Sequence, residues 1–160
     1  KELRTLIEST QFAMAQQDVR YYLNGMLWEI SDGMFRVVAT DGHRLALNTL
    51  NQDIAGNMQV IVPRKAVLEL SRLLTDSDED ATVILSNQQL RVQTNEFTFT
   101  SKLIDGRFPD YSKVIPQGGD KILIADRDVL KQALARVAVL ANEKHRSVRL
   151  EMEKDLLRWK

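Results

Sequence analysis

The sequence predicts an α+β fold built on antiparallel sheet, and three observations predict it. Stretches of helical periodicity recur at intervals of about 62 residues. The segments between them alternate polar and apolar residues with period two. Gly-, Asn- and Asp-containing turns join those segments at hairpin spacing, too short for parallel crossovers.

The first helix is predicted over 2–15, where Leu3, Leu6, Ile7, Thr10 and Met14 share one stripe. Strands follow at 21–30 and 34–39, flanking a Ser31-Asp32-Gly33 turn, and then at 44–50 and 58–62. Pro63 ends the fourth strand and suits entry to a second helix over 64–75, with Val67, Leu70 and Leu74 aligned. Three further strands are predicted at 81–85, 89–94 and 97–103, with turns at Asn87 and Asn95. Residues 104–119 hold Pro109, Pro116, Gly106, Gly118 and Gly119 without a period, and so read as a linker. Beyond it come a strand at 121–124, a third helix over 127–141 with Asp126 as N-cap, and strands at 147–152 and 156–159. A shift of 126 residues matches Ala15 to Ala141 and Arg20 to Arg146, so this last part resembles the opening of the first. The domains expected are therefore 1–118 and 119–160. The second is too short to bury a core by itself, so the chain is expected to be a stretch of a longer repeat protein.

Composition excludes several functions. The 160 residues carry 22 basic and 22 acidic side chains, ordinary soluble globular content. No run approaches the roughly 20 apolar residues of a membrane span, and no secretory signal pattern is visible. Without cysteine there is no disulfide, thiolate metal site or Cys nucleophile, which is compatible with a reducing compartment. His43 and His145 stand far apart, and neither a Gly-rich phosphate loop nor a nucleophile elbow occurs. No metal, cofactor or catalytic residue is expected.

Charge is unevenly placed. The predicted helices hold eight basic residues (Lys1, Arg4, Arg64, Lys65, Arg72, Arg127, Lys131, Arg136) against four acidic ones, a net +4 balanced by −4 elsewhere. Helices sharing one side would meet a polyanion there, although exposed helix faces are commonly charged. Thr40-Asp41-Gly42-His43-Arg44-Leu45 is either a plain hairpin turn capped by Asp41 or the rim of a peptide site with Leu45 on its floor. Arg20 with Tyr22 could meet a phosphate and a base or sugar face, or the tyrosines could pack as strand aromatics. Phe108 is expected to anchor the linker. On residues alone, a nuclease or phosphotransferase accessory domain and a generic interaction module remain alternatives.

Together, QDVRYYLNGML (17–27), ATDGHRLA (39–46), VIVPRKAVLEL (60–70), FTSKLIDGRFPDY (99–111) and ANEKHRSVRL (141–150) resemble the bacterial sliding clamp family, the β subunit that tethers the replicative DNA polymerase. The resemblance implies most of the middle domain, without its first strand, and the start of the third. It implies a DNA-clamp fold of repeated helix-plus-sheet units with helices on one face, and a cytoplasmic, non-enzymatic processivity factor. Two identical chains would close a ring around duplex DNA, contacting it without sequence preference. Partners would be the replicative polymerase, the clamp loader and repair polymerases, bound through short peptides. The peptide pocket implied comprises Leu23, Thr40, Gly42, His43, Arg44, Leu45, Pro109 and Val114. The DNA positions implied are Gln17, Arg20, Tyr22, Arg64 and Lys65, to which helix position and charge add Arg72, Lys131 and Arg136.

Overall fold

The computed structural model describes residues 1–75, 79–139 and 147–159. The predicted residues Ala141, His145 and Arg146, and most of the ANEKHRSVRL segment, lie outside them. The chain divides into two compact units, Lys1–Tyr111 and Ser112–Lys160.

The first unit runs helix, four strands, helix, three strands: α1 (Glu2–Thr10), β1 (Gly25–Ser31), β2 (Met34–Thr40), β3 (Leu45–Asn51), β4 (Met58–Pro63), α2 (Arg64–Leu73), β5 (Thr82–Leu85), β6 (Gln89–Gln93) and β7 (Thr98–Lys102). Every pairing is antiparallel, in sheets of order β3-β2-β1-β4 and β5-β6-β7. Just beyond β7, Ile104 forms an isolated antiparallel bridge with Ile61 of β4.

The larger sheet is buried on both faces, and strand periodicity decides which residue goes where. Met26, Trp28, Phe35, Val37, Val60 and Val62 face the helices and join Leu6, Ile7, Val67, Leu70, Leu90 and Val92 in the main core. Their neighbours in sequence, Leu27, Val38 and Ile61, face the other way. They form a second cluster with Ala15, Leu23 and Phe108. Gly25 permits the tight pairing of β1 with β4, since a Cβ there would stand 2.5 Å from the Val62 carbonyl oxygen. α1 has nine residues and no side-chain cap, so its packing, rather than its own ladder, holds it in place.

α1 stops at Thr10 and a 3-10 turn follows at Gln11–Ala13, where a helix running to 15 was expected, and three further expectations differ from the structure. Residues 21–23 form a 3-10 turn instead of continuing β1. The Asn24 side chain accepts from Asp18 N–H at 2.9 Å and donates to the Asp18 carbonyl at 2.8 Å, a local closure that outcompetes the strand ladder. Residues 121–124 join no strand and Ile122 and Ile124 stand exposed, because no neighbouring strand among the described residues offers a ladder. The division between units falls at Tyr111/Ser112 instead of 118/119, because buried Phe108 and the hydrogen-bonded Tyr111 tie the start of the linker to the first unit.

The second unit holds α3 (Arg127–Ala138) and a hairpin of β8 (Leu150–Glu153) with β9 (Leu156–Trp159). Asp126 caps α3, its carboxylate accepting from the N–H groups of Asp128 and Val129, each at 2.9 Å. No residue of α3 is buried.

Leu70→Ala should lower the stability of the first unit by about 2–5 kcal/mol in chemical denaturation, because the site is closed on all sides. Leu73→Ala, on the half-exposed side of the same helix, should cost much less.

Candidate peptide turn and basic helices

The Thr40–Leu45 segment joins β2 to β3, and its polar groups are satisfied almost entirely within it. Thr40 Oγ1 donates to the Arg44 carbonyl at 2.7 Å and accepts from Gly42 N–H at 3.0 Å. The Asp41 carboxylate accepts from the N–H groups of His43 and Arg44 and pairs with Arg44 Nε at 3.1 Å. Gly42 has φ +87°, a left-handed conformation that glycine adopts without strain. The turn is thus preformed, and the side chains of His43 and Arg44 project into solvent. Asp41 does cap it, as the plain hairpin alternative proposed, but Arg44 is more than solvated: its guanidinium lies 5.6 Å from the centroid of the Phe12 ring.

Beneath the turn lies the second apolar cluster. Leu45, directly across from Thr40, packs against it, and Leu23 is buried within it. Phe108 plugs the same cluster, which leaves the adjacent Pro109 exposed. Seven of the eight predicted pocket residues therefore belong to the first unit; Val114, 66% exposed, belongs to the second.

Arg20 was assigned to DNA, but its guanidinium braces this turn. Nε and Nη2 grip the Asp18 carboxylate at 3.0 and 2.8 Å, and Nη2 also donates to the Asp41 carbonyl at 3.2 Å. A Cβ on Gly42 would lie 2.9 Å from Arg20 Nη1, so the glycine also makes room for the arginine. Side-chain and backbone hydrogen bonds from Arg20 pull the Asp18 carboxyl down to about 2. Gln17 lies exposed beside it at φ +56°, and Tyr22 packs half-buried against the second cluster.

The helices carry the remaining predicted cations. Arg64 and Lys65 occupy the first turn of α2, which contains no acidic residue. Cations oppose the helix dipole there, and the same end favours an anion. Arg64 Nη1 reaches the Met14 carbonyl at 3.4 Å, while Lys65 is exposed. Three helix cations pair with the acidic residues already counted in the net charge: Arg4 with Glu8 at 2.7 Å, Arg72 with Glu69 at 3.3 Å and Arg127 with Asp128 at 3.0 Å. Lys65, Lys131 and Arg136 have no carboxylate partner among the described residues. Lys131 and Arg136 are exposed on α3, about 140° apart around its axis.

Sequence reasoning missed Phe12, Asp18 and Asn24. Only the spacing of Asp18 and Arg20, which permits a local ion pair, hinted at one of them. A cavity of about 630 Å³ lies elsewhere in the first unit, lined by Leu3, Phe35, Ile54, Leu74 and Phe97 among others. None of the predicted site residues lines it. Among the described residues no three His, Cys, Asp or Glu are grouped to hold a metal ion, and no helix is long and apolar enough to cross a membrane.

Architecture and turn together define a sliding-clamp fold. The chain superposes on the crystal structure of the DNA polymerase sliding clamp from Pseudomonas aeruginosa with a TM-score of 0.96 at 55% identity, covering 99% of this chain and 44% of that one. A P. aeruginosa sliding clamp bound to griselimycin gives 0.91 at 50% identity, covering 99% of this chain and 47% of that one. The beta sliding clamp of P. aeruginosa is 55% identical over 159 residues and that of Escherichia coli K12 51% over 158; each match takes in 98% of this chain and 43% of the relative. This chain thus spans under half the length of these relatives. The family model for the central domain of the DNA polymerase III beta subunit matches residues 1–110, and that for its C-terminal domain matches 112–160. The chain belongs to the DNA polymerase III beta subunit family.

The depressed Asp18 carboxyl has a measurable consequence. Its contribution is present above the ordinary carboxylate value of 3.8 and is lost only as pH falls through about 2. An NMR titration should show Asp18 still ionised at pH 3, and Arg20→Ala should return its midpoint towards 3.8.

Proposed function

We propose that this protein serves as a non-catalytic processivity clamp in bacterial DNA replication. In that role two identical chains form a cytoplasmic ring around duplex DNA. The ring holds the replicative polymerase, the clamp loader and repair polymerases through short peptides. What carries this proposal is the preformed Thr40–Leu45 turn lying over the Leu23, Leu27, Val38 and Phe108 cluster. A rigid rim beside the half-buried Leu45 and the exposed Pro109 suits a peptide with hydrophobic side chains, each worth roughly 1.5–3 kcal/mol when fully buried. His43 and Arg44 supply polar contacts at the rim, and the exposed Pro109 extends the apolar surface. No bond has to be made or broken for such tethering.

DNA contact is assigned to Gln17, Arg20, Tyr22, Arg64, Lys65, Arg72, Lys131 and Arg136. The exposed Lys65 at the start of α2 is the strongest of these, since it opposes the helix dipole where a phosphate would be favoured. Cations without base-reading geometry give sequence-independent binding, which lets a ring slide.

Circular and linear DNA separate a ring from a groove binder. A closed clamp should be retained on a nicked circle and lost on linearisation; equal retention on both would refute encirclement. Replacing His43 and Arg44 with alanine should weaken binding of a clamp-motif peptide by about tenfold in calorimetry, as expected for losing a rim that fixes its orientation. Lys65→Ala should lower the slope of log affinity against log salt by about 0.9 if it meets one phosphate.

A further inference from the structure

A polar cluster on the outer face of the larger sheet has no part in the contacts above. Glu29 on β1 stands directly across from Arg36 on β2 and from Gln59 on β4. It is 7% exposed, and both of its carboxylate oxygens are engaged. Arg36 Nη1 reaches Oε2 at 3.0 Å, and Gln59 Nε2 donates to Oε1. The Tyr111 hydroxyl donates to Oε2 and accepts from Arg36 Nη1 at 2.8 Å. Arg36 Nε reaches Thr49 Oγ1 on β3 at 3.3 Å, so the cluster crosses all four strands.

Glu29, Arg36, Thr49 and Gln59 lie on the sheet, and Tyr111 does not. Tyr111 comes from 82 positions away, and it is the last residue of the first unit. Three residues earlier Phe108 is sunk in the apolar cluster on the same face. The segment 108–111 is thus pinned at both ends, by an apolar plug and by a charged pair, with Pro109 exposed between them. A strand needs no carboxylate to pack, and a buried ion pair is weak evidence of stabilisation. Its better-supported use is to fix one arrangement among several, and the partner that Glu29 and Arg36 fix here is Tyr111.

We propose that Glu29, Arg36 and Tyr111 form a clasp that positions the pocket segment carrying Pro109 and sets where the chain leaves the first unit. This inference rests on the peptide-pocket function proposed above. Burial raises the Glu29 carboxyl, but hydrogen bonds from Tyr111 and Gln59 and the Arg36 charge outweigh it and hold it below its usual 4.5. Burial and the neighbouring carboxylate push the Tyr111 hydroxyl up, so it keeps its proton at neutral pH. Holding the segment in place before a peptide arrives leaves less freedom to lose on binding.

Tyr111→Phe keeps the ring and removes only the hydroxyl. Two readouts apply to the 160-residue chain: amide hydrogen exchange, and an NMR titration of the amides at 40–45 with a synthetic clamp-motif peptide. Exchange at 108 and 110–114 should quicken about tenfold while α2 and β2 keep wild-type protection, as for a local opening. The peptide dissociation constant should rise about three- to tenfold, as for a loss of preorganisation. Unchanged exchange, or faster exchange with unchanged affinity, would overturn the clasp. Glu29→Gln should reproduce both effects; if it unfolds the chain, Tyr111→Phe decides alone. Wild-type chain that ignores the peptide would sink the pocket function and the positioning role with it, whereas wild-type binding with an indifferent Tyr111→Phe sinks the clasp only.

Discussion

The first unit depends on one constraint: its four-stranded sheet must be covered on both faces. β1 is buried along its first five residues, so the period-two alternation sends consecutive side chains into two separate cores. Met26 and Trp28 go to the helices, and Leu27 and Glu29 go to the outside. Trp28 packs edge-on to Phe35 within the main core, at 5.4 Å between ring centres. A one-residue slip in register would exchange these sets and destroy both cores at once. The fold is therefore specified tightly where its site is carried.

The candidate pocket is a product of that second face. Helices cover one side of the sheet. On the other, an apolar patch is sealed partly by Leu23 from the turn after α1 and partly by Phe108 from the segment after β7. Neither comes from a regular element. Both are brought in by segments held by side-chain hydrogen bonds, from Asn24 to the Asp18 backbone in one case and from Tyr111 to the distant Glu29 carboxylate in the other. The result is a surface whose apolar and charged parts sit beside each other on neighbouring residues of the same strands.

Charge follows a related logic. Several of the helix cations are neutralised by short-range pairs such as Arg4 with Glu8 and Arg72 with Glu69. Exposed pairs of this kind contribute little stability, but they lower the field that a phosphate backbone would meet. What remains among the described residues is sparse, as the loose DNA contact proposed above would require. Arg20 shows that a cation near such a surface can serve the fold, since its guanidinium grips Asp18 through two hydrogen bonds and braces the turn through a third to the Asp41 carbonyl.

By itself the sequence determined the helix and strand order of the first unit, the antiparallel sheets, the core stripes of α1 and α2, the Asp126 cap and the TDGHR turn. Each is local: a period, a cap or a turn residue is written within a few positions of its effect. The 3-10 turn at 21–23 was hidden because aromatic residues with strand propensity yielded to Asn24, whose bonds are to a residue six positions away. Arg20 beside Gly42, Arg44 over Phe12 and Tyr111 on Glu29 were decided only by the tertiary structure. They join residues that sequence keeps as much as 82 positions apart, and no local pattern records which distant partner a buried charge will find.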